Sequence, residues 1–175
     1  MKSFLKKLLI IVMAVVTLNV TAEAQEKGDK AAGVNLAISG QNIIGIGARY
    51  QYNITKPLRV ESSFNYMFNR NLINSMNKWD LYVNAHLLIP IINRIKLYPL
   101  AGLGIVRREV KYLIIEDEYS YYDDIGDFTY WCFNFGGGID CKITDKLIIN
   151  VELNQKWLDH YSRNTYLSTG IIYMF

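Results

Sequence analysis

The amino-acid sequence predicts an all-β chain: eight antiparallel strands that run up and down and close into a barrel. Three observations carry this. Apolar and polar residues alternate with a period of two over eight separate stretches. The connections between the stretches alternate between short and longer. Beyond the first 25 residues the longest apolar run, Leu87-Leu88-Ile89-Pro90-Ile91-Ile92, falls far short of the roughly 18 residues a membrane-spanning helix needs.

The amino end comes first. Lys2, Lys6 and Lys7 precede an apolar segment over 8–20, and Ala22-Glu23-Ala24 presents small residues for cleavage before Gln25. Residues 1–24 therefore read as a secretory signal peptide, with 25–175 as one barrel domain. The apolar segment is too short to span a bilayer as an anchor. The whole chain carries +3, but removing 1–24 leaves 16 basic and 15 acidic residues. That near-neutral balance gives a nucleic-acid partner no electrostatic support.

The strands follow in order. Around 30–38, Val34, Leu36 and Ile38 alternate with Gly33, Asn35 and Ala37. Over 42–54, Ile44, Ile46, Ala48, Tyr50 and Tyr52 stand opposite Gly45, Gly47, Arg49, Gln51 and Asn53. Over 58–70, Leu58, Val60, Phe64, Tyr66 and Phe68 oppose Arg59, Glu61, Ser63, Asn65 and Asn69, with Ser62 and Met67 as exceptions. Over 77–90, Trp79, Leu81, Val83 and Ala85 oppose Asp80, Tyr82, Asn84 and His86. The stretch 95–113 is strand-like with a less regular register, and we place Leu103 and Ile105 on its apolar side. Over 127–143, Trp131, Phe133, Phe135 and Ile139 oppose Asn134, Gly136, Gly138, Asp140 and Lys142. Over 147–159, Leu147, Ile149, Val151, Leu153 and Trp157 oppose Asn150, Glu152, Asn154 and Lys156. Over 165–175, Leu167, Ile171, Tyr173 and Phe175 oppose Ser168 and Gly170.

Membrane strands need about 9–11 residues, so eight of them with turns fill the chain after residue 24. Short turns follow the second, fourth and sixth strands at 54–57, 91–94 and 144–146. Longer polar segments follow the third, fifth and seventh. The short connection at 39–41 is an exception. Short turns on the periplasmic rim and longer loops outside characterise outer-membrane barrels.

Alternation alone does not say which face points inward. A soluble, secreted lipocalin-like barrel that binds a ligand would put the apolar face inside. Three features favour the reverse. Aromatic residues gather at strand ends on the apolar face: Trp79, Trp131, Trp157, Tyr66 and Phe68 at the loop rim, Tyr50, Tyr52, Tyr173 and Phe175 at the turn rim. Two such girdles suit two membrane interfaces. The polar face carries Arg49, Arg59, Lys142 and Lys156 against Glu61, Asp80, Asp140 and Glu152, a balance that suits a closed interior. The same face is rich in glycine, which a narrow eight-stranded lumen filled with long side chains requires. The expectation is a transmembrane barrel in a bacterial outer membrane.

Taken together, the signal, the eight alternating strands and the terminal Thr169-Gly170-Ile171-Ile172-Tyr173-Met174-Phe175 resemble small outer-membrane β-barrel proteins of the OmpX and OmpA-membrane-domain type. Such chains are often described as porin-family or outer membrane β-barrel domain proteins. Ala101-Gly102-Leu103-Gly104 and Phe135-Gly136-Gly137-Gly138-Ile139-Asp140 are similar to segments of that family. The resemblance implies that Ile171, Tyr173 and Phe175 form the signal read by the barrel-assembly machinery. It also implies outer-membrane lipids and lipopolysaccharide as surroundings.

Several groups are candidates for chemistry. Arg49, Arg59, Glu61, Asp80, His86, Asp140, Lys142, Glu152 and Lys156 read as a structural ion-pair network in the lumen rather than a catalytic relay. A filled eight-stranded lumen predicts no wide pore. The two histidines, His86 and His160, are a poor basis for a metal site, and no cofactor is expected. His160-Tyr161-Ser162-Arg163-Asn164 resembles the His-x-Ser motif of outer-membrane lipid A deacylases, the alternative function. Arg163 intervenes before Asn164, and Ile172, Tyr173 and Met174 stand where that family has its acidic partner. A serine nucleophile needs a base and an orienter, so the leading expectation is a non-enzymatic barrel with a structural, envelope-integrity or surface-interaction role. The segment 112–130 reads as an acidic, tyrosine-rich surface loop holding Glu116, Asp117, Glu118, Tyr119, Tyr121, Tyr122, Asp123 and Asp124. Cys132 and Cys141 fall on one strand with opposite parity, which forbids a disulfide between them.

Overall fold

Strands inside a membrane must satisfy every backbone group among themselves, and closure into a barrel does this. The computed structural model describes residues 27–39, 43–69, 74–116, 119–158 and 162–175. The segment 1–24, expected to be a signal peptide, lies outside them. The elements are β1 (Lys30–Ser39), β2 (Ile43–Asn53), β3 (Leu58–Asn69), β4 (Asn74–Leu87), β5 (Ile89–Ile92), β6 (Ile95–Glu116), β7 (Tyr119–Lys142), β8 (Leu147–Leu158) and β9 (Ser162–Met174).

Segments β4 and β5 are two stretches of one barrel strand, both paired with β6. The break falls at Leu88, whose N–H turns to the carbonyl of Pro57 at 2.7 Å. Next to it, Pro90 has no N–H for the ladder, and the register against β6 shifts between Pro90 and Ile92. The barrel therefore has eight strands. Each is antiparallel to its neighbour, and β1 pairs with β9 to close the wall. Turns at 54–57, 93–94 and 143–146 are short, and β1 begins at the same rim at which β9 ends.

The interior is polar. Arg49, Arg59, Glu61, Asp80, His86, Asp140, Glu152 and Lys156 are all buried. The large apolar side chains face out: Leu103 is 64% exposed and Trp131 75%. An apolar-inside, lipocalin-like barrel is excluded by this pattern. On β6, Tyr98, Leu100 and Val106 are buried while Leu103 points outward, which settles the register that periodicity left irregular.

One expectation needs correction. The segment 112–130 is not an open loop. Strands β6 and β7 continue through it as a hairpin, paired up to Glu116↔Tyr119. Only Asp117 and Glu118 lie outside the described residues there. The register passes Ile125 between Val110↔Gly126 and Lys111↔Asp124, and Gly126 at this bulge has a φ of 131°. Ile114, Ile115, Tyr119, Tyr121 and Tyr122 favour strand, and this outweighs the acidic composition.

Glycines on the inner face make room for bulk from neighbouring strands. A Cβ on Gly138 would lie 2.4 Å from the Tyr98 hydroxyl oxygen, and one on Gly104 2.3 Å from the Tyr82 ring.

Candidate functional site

Inward positions on all eight barrel strands meet in the lumen and sort into layers. Toward the turn rim, Arg59 on β3 donates from Nη1 to Asp140 Oδ2 at 2.7 Å. The same guanidinium donates to His86 Nδ1 from Nε at 3.2 Å and lies within 2.9 Å of it through Nη2. Arg49 on β2 reaches Glu152 at 3.2 Å and Glu61 at 3.8 Å, and donates to Ser168 Oγ at 2.7 Å. Gln51 donates to Glu61 at 2.7 Å. In this layer the carboxylates face a guanidinium or an amide, as buried charges require.

Tyr98 joins these groups. Its ring stacks on His86 at 4.7 Å between centroids and lies 4.8 Å from the Arg59 guanidinium carbon. Its hydroxyl is 3.2 Å from Glu152 and accepts from Asn150 at 3.1 Å. A middle layer holds amides: Asn35 donates to Asn65 at 2.9 Å, and Asn134 to Asn84 at 3.0 Å. Toward the loop rim, Lys156 pairs with Asp80 at 2.8 Å, and Asn65 donates to the same carboxylate at 2.7 Å. The Lys156 ammonium sits 4.1 Å from both the Tyr82 and Tyr166 ring centres. Lys78 hydrogen-bonds the Tyr166 hydroxyl.

The structure thus brings together eight of the nine expected lumen residues. Lys142 differs. It faces inward but lies at the rim, 30% exposed, and pairs with Asp145 in the turn at 3.2 Å. Height along the strand, not parity, separates it from Asp140. Sequence reasoning missed Tyr98 and Lys78. Lys78 shares parity with Asp80 and Tyr82, and Tyr98 shares parity with Gly102 and Gly104, so both were legible in principle.

Glu61, His86 and Glu152 could be read as a metal trio, since one ligand atom from each lies within 4.8 Å of the others. The donor chemistry argues against it. A guanidinium can only donate, so Nδ1 of His86 is an acceptor and the neutral ring carries its proton on Nε2. That nitrogen lies 4.0 Å from Glu61 Oε1, beyond hydrogen-bond reach, and as an N–H it offers no lone pair to a metal. Arg49 already lies against both carboxylates.

A small cavity between the layers, lined by Asn35, Asn134, Asn154 and Glu152 among others, has a volume of about 20 Å³. That is room for about one water. The buried side-chain oxygens of Asn35, Asn134 and Asn154 have no hydrogen-bond partner.

On the outer face, Tyr50, Tyr52, Phe68, Trp131 and Trp157 are exposed, and Tyr66 and Trp79 half-buried. Trp157 packs edge-on to Phe135 at 4.9 Å, and Trp79 lies 6.1 Å from Phe64. Ile171, Tyr173 and Phe175 also face out. Cys132 is buried, Cys141 half-buried, and both are free. Backbone pairing places Glu116, Tyr119, Tyr121, Tyr122, Asp123 and Asp124 on the β6–β7 hairpin. Among the described residues, β8 pairs with β7 only as far as Cys132↔Leu158. The β7 edge from Tyr119 to Trp131 thus extends roughly 40 Å at the usual strand rise. Ser162 pairs with Leu158, while His160 and Tyr161 lie outside the described residues.

No curated protein matches the sequence. Solved structures do. The chain is similar to the N-terminal β-barrel domain of OprF from Pseudomonas aeruginosa, at 14% identity, covering 86% of this chain and 100% of that one, with a TM-score of 0.57. It is similar to Ail of Yersinia pestis at 16% identity, covering 85% and 99%, with a TM-score of 0.58. It is also similar to a major outer membrane protein from Thermus thermophilus at 10% identity, covering 86% and 100%, with a TM-score of 0.69. At these identities the likeness is one of fold. The family model described as the outer membrane protein beta-barrel domain matches residues 8–175. With the polar lumen, the apolar outer face and the closed eight-stranded wall, this places the chain in the outer membrane β-barrel family, a small barrel of the bacterial outer membrane.

Proposed function

We propose that this barrel is non-enzymatic, has a plugged lumen with no wide pore, and serves a structural, envelope-integrity or surface-interaction role. The observation that carries this is the lumen network. Arg49, Arg59 and Lys156 tie β2, β3 and β8 to carboxylates on β3, β4, β7 and β8. Such cross-links fill the interior and brace the wall. In planar bilayers the folded protein gives no stable wide conductance; a steady large conductance overturns the reading. A lipid A acyl profile that changes with the protein, and needs Ser162, overturns the non-enzymatic assignment in favour of the deacylase-like one.

The surface role falls to the β6–β7 hairpin. A strand edge that runs past its neighbour offers backbone donors and acceptors to a partner. Ail of Yersinia pestis has been crystallised with the heparin analogue sucrose octasulfate. Over 107–127, seven acidic residues outnumber the three basic ones, Arg107, Arg108 and Lys111, and this net negative charge argues against such a polyanion here and for a neutral or cationic partner. Trimming the hairpin leaves the barrel heat-modifiable on gels and reduces adherence of cells to protein-coated surfaces; unchanged adherence removes the hairpin from this role. Ile171, Tyr173 and Phe175 supply the assembly signal, and the outward aromatics supply the two interface girdles.

A further inference from the structure

The two ends of the barrel differ in charge. At the turn rim, Lys27, Lys30, Lys56, Arg94 and Lys146 are exposed. Lys96 and Lys142 stand half-buried at the lumen mouth. Against these seven cations, the described side chains at this rim include two carboxylates, Asp29 and Asp145, for a net +5. The opposite end carries the acidic hairpin. A chain whose domain is almost neutral is thus strongly polarised along its axis.

We propose that the turn rim is a docking ring for the phosphate headgroups of anionic phospholipids in the leaflet it meets. Depth supports this. Lys30 is paired with Tyr52, and its carbonyl accepts the Phe175 N–H at 3.0 Å. Lys146 holds its ammonium 5.9 Å from the Tyr173 ring centre. These rings face outward at the end of the apolar wall, the place where aromatic side chains meet headgroups. A lysine beside such a ring extends its ammonium to phosphate depth while its stem covers apolar surface.

The arrangement around the axis favours a membrane over a protein. The exposed cations occupy four stations: the entry to β1, the β2–β3 turn, the β5–β6 turn and the β7–β8 turn. Pairing order spaces these stations around the whole circumference. A protein docking from one side would need its charges gathered there. A surrounding leaflet meets all four.

The test uses the folded full barrel reconstituted in phosphatidylcholine bilayers with trace spin-labelled lipid. The spectra report how much phosphatidylglycerol or phosphatidylcholine label is immobilised at the barrel. Phosphatidylglycerol is preferred by about five-fold, the worth of one cation beside one anionic headgroup. The preference vanishes in a variant carrying Lys30→Gln, Lys56→Gln, Arg94→Gln and Lys146→Gln. It also vanishes for the unaltered protein in about 1 M salt, where screening acts within about 3 Å, so the result does not depend on the variant folding. Equal immobilisation of both labels by the unaltered protein overturns the proposal, as does a preference that survives the four substitutions. Lysine-dependent sedimentation with purified peptidoglycan sacculi, without any lipid preference, reassigns the ring to a periplasmic polymer.

Discussion

Arg59→Met removes a buried cation that touches three partners in the lumen, Asp140, His86 and Tyr98. The Arg59 guanidinium is fully buried, donates to Asp140 at 2.7 Å and to His86 Nδ1, and lies against the Tyr98 ring. Methionine keeps much of the stem volume but leaves the Asp140 carboxylate buried without that cation. Breaking one side of a buried pair costs about 3–5 kcal/mol. Asp140→Asn in the same chain removes the stranded charge, so the double variant loses less than the two single losses added together. The coupling is expected at about 1–3 kcal/mol. Urea unfolding of the barrel in lipid vesicles, followed by tryptophan emission, measures all four corners of the cycle. A loss below about 1 kcal/mol for Arg59→Met, or strict additivity with Asp140→Asn, would refute the claim that the lumen is a mutually dependent charge network.

Other outcomes follow from the same geometry. Gly104→Ala places a methyl 2.3 Å from the Tyr82 ring and 2.4 Å from the Leu81 carbonyl oxygen; overpacking of this kind costs about 1–3 kcal/mol, read from the same unfolding curves. Lys142→Gln, which removes the rim pair with the exposed Asp145, changes stability by less than about 0.5 kcal/mol; a loss as large as that of Arg59→Met would return Lys142 to the network. Under mild oxidant the intact protein forms no Cys132–Cys141 bond by mass spectrometry, and buried Cys132 labels with maleimide only after unfolding. Finding that bond would break the strand register of β7.

Much of this barrel is legible in the residues because a strand obeys one rule. Once Phe64, Tyr66 and Phe68 are assigned outward, Glu61, Ser63 and Asn65 must point inward. The same rule places Met67 in the lumen against its apolar character, where it fits beside Gly45. Parity says nothing of height, however. Lys142 and Asp140 share a face, yet the first is part-exposed at the rim and the second, one inward position further along the strand, is buried. Nor does it say which charges meet across the lumen: Arg49 and Glu152 are 103 residues apart in sequence. The hairpin was hidden for a different reason. Its acidic residues suggest a solvated loop, but backbone pairing between β6 and β7 is local, and β-favouring Ile114, Ile115, Tyr121 and Tyr122 extend it.

A membrane barrel needs an apolar outer face with the polar groups enclosed, and the three tryptophans report on it directly. Trp79, Trp131 and Trp157 all belong to the outer face near the loop rim. Their emission in bilayers containing brominated lipids needs no substitution. Bromine near the headgroup end of the acyl chains is expected to quench strongly, and bromine near the chain ends weakly. Emission unaffected by bromine at every depth would place these rings away from lipid and contradict the membrane barrel.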